Sequence, residues 1–392
     1  MTADDPLALY VHWPWCLAKC PYCDFNSHAH TPTTGDQTQY RNAILRELNY
    51  FANKTSGQKL TSIFFGGGTP SLMAAQTVQD IIEHADRHFG LETGCEITLE
   101  ANPTSIEAAK FRAFQGAGIN RVSVGVQALN DEDLQALGRE HSVEDALEAL
   151  AIAGAIFERF TFDLIYARPD QGVGAWTDEL EYALSLVGDH ISLYQLTIEP
   201  GTVFFRQSVA EADEDLATDL FDLTQDMCLE AGLSAYEVSN HARPGQESRH
   251  NLTYWNGGDY IGIGPGAHGR LTTGGVTHAT HQISTPARWL DKVEENGHAT
   301  AKVRELSRNE RIEELVLSGL RLSQGLDAQR FGRLSGTDFL TALNTTALNE
   351  LSTAGLIELD STGLRTTRQG RLMLNTIIQR LLDDDPEAAL SS

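Results

Sequence analysis

Six short runs of β-branched and aromatic residues recur in the first half of the chain, at Leu7–Trp13, Leu60–Phe65, Cys95–Ala101, Arg121–Gln127, Phe160–Ala167 and His190–Thr197. Between them, in Tyr40–Phe51, Thr77–Phe89, Ile106–Phe114, Val143–Phe157 and Trp176–Leu186, apolar residues return every three or four positions. That is the period of an amphipathic helix. Ser142, followed by Asp145, reads as a capping box that opens one of them. Strand alternating with helix predicts an α/β fold with a parallel sheet. A partial barrel and an open doubly wound sheet share this pattern. In the last third, Pro286–Asn296, Glu310–Leu322, Ala328–Leu334 and Asp338–Ala354 read as helices. A hairpin over 355–360 and 363–367 and a helix over Arg371–Leu382 follow. Helices followed by a two-stranded wing predict a mainly helical, winged-helix-like C-terminal domain. The expected division is a barrel over 1–235, a connecting segment over 236–300 and the C-terminal domain over 301–392.

The chain has 392 residues, 41% of them hydrophobic and 21% charged, with a formal net charge of −25. This composition predicts a globular, soluble protein. A nucleic-acid binder is expected to carry basic patches, so the acidic balance argues against DNA as a partner of the winged module. That module is expected to cover the barrel mouth or dock a partner. No run approaches the ~18 consecutive apolar residues of a membrane span. The N-terminus shows no signal-peptide pattern, and the tail 383–387 is expected to be frayed and solvated. Cys95 and Cys228 sit in apolar surroundings and read as small buried hydrophobes. The expected compartment is a reducing cytoplasm, where thiols stay free to bind iron.

The remaining cysteines are concentrated in Cys16-Leu-Ala-Lys-Cys20-Pro-Tyr-Cys23, just after the first strand. Structural zinc sites use four ligands, and no second cysteine pair accompanies these three. Three thiolates can hold three irons of a [4Fe–4S] cluster, leaving one iron open to chelate S-adenosylmethionine (SAM). The spacing and position resemble the radical SAM superfamily, which implies a partial (β/α)6 barrel. In α/β barrels the chemistry gathers at the C-terminal ends of the strands. Those ends carry Gly66-Gly67-Gly68-Thr69-Pro70, Glu100-Ala101-Asn102-Pro103, Gln127, Asp163 with Tyr166, and Tyr194-Gln195. A triple glycine lets backbone approach a ligand closely, although tight turns use it too. Glu100 suits a cationic or hydroxyl-bearing group, or a strand-end salt bridge. Gln127, Arg139 and Asp163 are compatible with a second charged ligand, and Arg139 reads equally as a solvated loop charge.

Tyr10-Val-His-Trp-Pro-Trp-Cys16, Gly66–Pro70, Ser123-Val-Gly-Val-Gln127 and Asp163-Leu-Ile-Tyr166 resemble the HemN/HemW family over nearly the whole chain. The resemblance implies that Cys16, Cys20 and Cys23 ligate the cluster and that Tyr10, Gly67 and Glu100 contact the cluster-bound SAM. It also implies a second SAM near Tyr22, Gly68, Thr69, Gln127, Arg139 and Asp163. Arg168 departs from the pattern, and is expected either to alter that second pocket or to face solvent. HemN-like enzymes carry a further cysteine two residues after the third ligand, where this chain has Phe25. His250-Asn-Leu-Thr-Tyr254-Trp255 and the glycine-rich run to His268 are similar to the HemW branch. That branch implies a haem chaperone linked to porphyrin metabolism, with haem as ligand and an acceptor protein, respiratory or membrane-associated, as partner. His250 is the candidate haem ligand, with His12, His241 and His268 as other candidates. Read from residues alone, the segment is a surface loop with a structural histidine and two half-buried aromatics, and only the resemblance turns it toward haem. The alternative activity is oxygen-independent oxidative decarboxylation of coproporphyrinogen III. The acceptor, a covalent haem link and a homodimer are left open.

Overall fold

The computed structural model describes residues 6–55 and 57–383, so the expectation for the tail beyond Asp383 lies outside the described residues. The six expected strands form, as β1 (Leu7–Trp13), β2 (Leu60–Gly67), β3 (Leu91–Ala101), β4 (Arg121–Gln127), β5 (Arg159–Tyr166) and β6 (His190–Gln195). Each pairs in parallel with the next. Leu7, Leu9, Val11 and Trp13 of β1 join the main core. Tyr10 lies on the opposite side, beside Phe64 and His250. This is the period-two alternation of a strand.

The segment expected as a connection supplies four whole strands of the sheet, and two more lie at its ends. After β7 (Ser234–Ala235) and β8 (Asn240–Ala242) it supplies β9 (Asp259–Ile263), β10 (His268–Thr273), β11 (Val276–Gln282) and β12 (Thr300–Glu305). The twelve strands run in the order β12-β11-β10-β9-β1-β2-β3-β4-β5-β6-β8-β7. Strand β9 runs parallel to β1, whereas β10, β11 and β12 extend that edge as antiparallel neighbours. The parallel part is thus an open, partial barrel.

The helices start where caps place them. Thr33 and Asp36 form a capping box that begins Thr34–Ala52 six residues before the apolar period becomes visible. The Ser142–Asp145 box forms as expected. Helix Glu214–Glu230 escaped the pattern because carboxylates at six of its positions dilute the apolar period. Asn344 caps a new helix, Thr345–Thr353, and so splits the expected 338–354 helix in two.

The C-terminal domain has its own core, including Val316, Leu348, Leu364 and Ile377. Its wing, Ile357–Leu359 and Gly363–Thr366, gains a third strand from Leu326–Asp327. This domain does not cover the barrel mouth. It packs at the opposite end, where Arg311 and Arg330 donate to the carbonyls of Gly257 and Asn256 and Arg321 lies 4.8 Å over the Trp255 ring. Arg368 adds an ion pair to Asp222 on helix Glu214–Glu230. No helix among the described residues is long and apolar enough to cross a membrane.

Candidate functional site

A cavity of ≈370 Å³ opens at the C-terminal ends of the parallel strands. Its walls hold Cys16, Cys20 and Cys23 together with Tyr22, Gly67, Gly68, Thr69, Glu100, Gln127, Arg139 and Asp163. Chain separations of well over a hundred residues are closed here by the parallel sheet, which sets every strand's C-terminus at one rim. Tyr10 and His250 do not line it.

The three thiols are free and half-buried. Among the described residues no three His, Cys, Asp or Glu side chains converge on a point that could hold a single ion. Arg139 donates to Cys20 Sγ at 3.3 Å, to Asn102 Oδ1 at 2.7 Å and to the Gly125 carbonyl at 2.9 Å. Its Nε is buried without a partner, as expected of a cation waiting for a ligand. Asn102 in turn donates to Thr69 Oγ1 at 3.2 Å. Asn102 was legible as a strand-end residue, but its bridging role needed the fold.

The glycines leave no room for alternatives. At Gly67, φ is +112° and a Cβ would stand 2.5 Å from the His12 ring; at Gly68 it would stand 2.6 Å from the Trp15 carbonyl oxygen. Gly67→Ala is expected to lower unfolding stability by about 1–3 kcal/mol, and urea unfolding checks this. The Gly67 N–H donates to Glu100 Oε2 at 3.2 Å.

Protein surrounds Glu100 and Asp163 on every side except the cavity. Burial, and then the neighbouring Asp163, push Glu100 up to about 8. Burial pushes Asp163 up to about 6, held back by Ser192 and Arg121. Two carboxyls of different protonation thus face one space, a pattern suited to a cationic ligand. Tyr10 stands behind the wall, its Oη 3.0 Å from His12 Nδ1, and His12 Nε2 meets the Asn26 carbonyl at 2.9 Å.

Three expectations change. Arg168 neither enters the cavity nor faces solvent. It is 3% exposed and donates to Glu179 at 2.5 Å, Asp133 at 2.6 Å and the Ile165 carbonyl at 2.6 Å. Tyr166 points outward and stacks on Trp176 at 5.3 Å. His250 is not in a loop; it lies in helix Arg249–Trp255, whose N-terminal end plugs the barrel floor. It is 5% exposed, stacks on Phe64 at 4.9 Å and sits with Nδ1 3.2 Å from Ser62 Oγ. Burial pulls its pKa down to about 4. Its backbone N–H donates to Glu96, which also pairs with Arg159 at 2.7 Å. Cys95 and Cys228 are buried in the core, as expected.

Known proteins resemble this chain over most of its length. The radical SAM superfamily pattern matches residues 10–182, and the HemN C-terminal domain matches residues 306–373. Mouse mitochondrial radical S-adenosyl methionine domain-containing protein 1 is 40% identical over 99% of this chain and 90% of its own. Heme chaperone HemW of Haemophilus influenzae is 35% identical over 97% and 99%, and that of Escherichia coli is 35% identical over 96% and 98%. The fold superposes on Escherichia coli coproporphyrinogen III oxidase HemN with a TM-score of 0.81 over 97% of this chain and 90% of that one, at 23% identity.

Proposed function

Since the chain belongs to the HemW family of radical SAM proteins, we propose that it is a haem chaperone, which binds haem and passes it to an acceptor protein. The observation that carries this reading is the near-full-length match to proteins of that name. Phe25 supports it: a phenyl ring cannot replace thiol chemistry beside the cluster loop.

The residues around the cavity fit a [4Fe–4S] cluster and SAM. Cys16, Cys20 and Cys23 would hold the cluster, which when bound supplies an open iron and an electron at the cavity wall. Gly67 and Glu100 would bind the cationic methionyl end of SAM, with Tyr10 bracing His12 beneath Gly67. Tyr22, Gly68, Thr69, Gln127, Arg139 and Asp163 leave room for a second SAM or another anion-bearing ligand. Free thiols suit a reducing compartment such as the cytoplasm.

An anaerobic haem titration of the cluster-reconstituted chain, followed by transfer to an apo-haem protein, tests the proposal. Saturation near one haem per chain is expected, and absence of specific binding would overturn it. The second reading, decarboxylation of coproporphyrinogen III, is favoured by the intact ring of SAM-type residues around the cavity. Vinyl product formed from that substrate would establish it.

The Glu100 carboxyl gives a pH prediction. A cationic ligand prefers the ionised carboxylate, so SAM affinity should rise as pH is raised from about 6.5 to 8.5. Without ligand the sign reverses. A carboxyl whose folded pKa is raised stabilises the fold at low pH, and that stability is lost as pH rises through the folded value. Glu100→Gln should flatten both profiles, in calorimetric SAM titrations and in thermal melts.

A further inference from the structure

Sheet register sets three polar residues in one row. Asp163 on β5 stands opposite Ser192 on β6, and Ser192 stands opposite Asn240 on β8. Residues opposite each other in a sheet share a face, so the row runs from the cavity wall into the protein. Ser192, Asn240 and the adjoining Glu237 are all buried.

Buried polar groups need partners, and here the partners fix the direction of the protons. Glu237 Oε1 accepts the Ser239 N–H at 2.9 Å, which marks that oxygen as an acceptor. Asn240 therefore turns its amide nitrogen to it, at 2.5 Å. Asn240 Oδ1 then faces Ser192 Oγ at 2.8 Å. An amide oxygen only accepts, so the single Ser192 proton goes to Asn240. What Ser192 turns to Asp163 is a lone pair, which a protonated carboxyl can satisfy and a carboxylate cannot. Ser192 holds Asp163 down only by donating to it. Doing so would strip Asn240 Oδ1 of its donor in a buried place, which costs more than the new bond returns.

The far end of the row is firmly held. Leu193 donates to the Ser239 carbonyl at 2.7 Å, and Ser323 of the C-terminal domain donates to the Tyr236 carbonyl at 2.9 Å. Tyr194, Tyr236, Tyr254 and Arg371 lie around Glu237. Asp163 itself faces Glu100 on β3, Arg121 and Ser123 on β4, Arg139, and Tyr194 on β6. Ser123 donates to Asp163 Oδ1 at 3.4 Å, which leaves Oδ2 to carry a proton.

We infer that Glu237 and Asn240 are positioning residues for the cavity, which fix the direction of the Ser192 proton and so hold Asp163 neutral until a cationic ligand ionises it. A sulfonium or ammonium group arriving beside Asp163 favours the carboxylate. The Asp163 proton leaves to solvent through the open cavity, and Ser192 turns its own proton to the new charge. The empty cavity is spared a buried carboxylate, and a neutral ligand gains nothing from Asp163. The inference stands on the cavity and the sheet register, and is independent of haem binding.

The test follows the Asp163 carboxyl by infrared pH titration of the full-length, cluster-reconstituted chain carrying isotope-labelled aspartate, with Asp163→Asn identifying its band. Ser192→Ala separates the two directions. If Ser192 accepts from Asp163, the variant loses a partner of the neutral form, and Asp163 should titrate about one pH unit lower. If Ser192 donates to Asp163, the same variant titrates higher; that result, or an unchanged value, would overturn the inference. Glu237→Ala frees the Asn240 amide to turn over and should lower the value too, with little further fall when Ser192→Ala is added. Glu237→Gln keeps an acceptor oxygen and should restore the wild-type value. A fall in Glu237→Gln as large as in Glu237→Ala would assign the effect to charge alone, and the positioning role would be lost.

Discussion

Cys20→Ala protein, reconstituted anaerobically, is expected to hold less than roughly a tenth of the iron and sulfide of wild type, where about four irons per chain are expected. Cys16→Ala and Cys23→Ala should behave alike. The argument is geometric. The three thiols share one cavity wall, three thiolates can hold three irons of such a cluster, and two ligands cannot retain a cluster that already lacks a fourth. Cys20 is the most informative of the three because Arg139 donates to its sulfur. Hydrogen bonds to cluster sulfurs shift reduction potential, so Arg139→Met should retain iron but lower the cluster's potential in a spectroelectrochemical titration. Normal iron content in Cys20→Ala would remove the cluster assignment.

Arg168→Met is expected to lose about 3–5 kcal/mol of stability, because it leaves the largely buried Glu179 without its counterion. Arg168 bridges Asp133, after β4, to Glu179, after β5, and also ties down the Ile165 carbonyl. One planar guanidinium meets both carboxylates at once. Lysine offers a point charge without that fork, so Arg168→Lys should recover only part of the loss. Urea unfolding with an unchanged slope reads this directly. SAM binding per folded molecule should stay at the wild-type value, because the side chain does not line the cavity. Loss of SAM affinity in a variant of normal stability would show that Arg168 serves the site after all.

The wall of the cavity was largely legible along the chain. Cys16, Cys20 and Cys23 are close in sequence, and Gly67, Glu100, Gln127 and Asp163 follow strands whose apolar runs are plain. A parallel barrel turns such strand-end positions into neighbours. The floor was not legible. Glu96, Arg159 and Ser248 meet around the His250 backbone because strands β3 and β5 and a later helix arrive together. Polar residues inside a barrel break the apolar pattern that marks a strand, and their partners lie far away in sequence. The 236–300 segment was obscured for a similar reason. Its strands β10 and β11, and β12 beside them at the sheet edge, are rich in His and Thr, half-exposed, with no continuous apolar run.

The sequence by itself determined the βα repeat, the cysteine loop, the glycine turn and the family, since each rests on local spacing or local propensity. Tertiary structure alone decided which histidines are open. Neither the His250-Asn-Leu-Thr-Tyr254-Trp255 run nor the glycine-rich run that ends at His268 marks which histidine is buried. One is closed off by the C-terminal domain docking on the barrel floor, and the other stands at a strand end opposite His281. Access depends on what packs against a residue from distant parts of the chain, which no local pattern encodes.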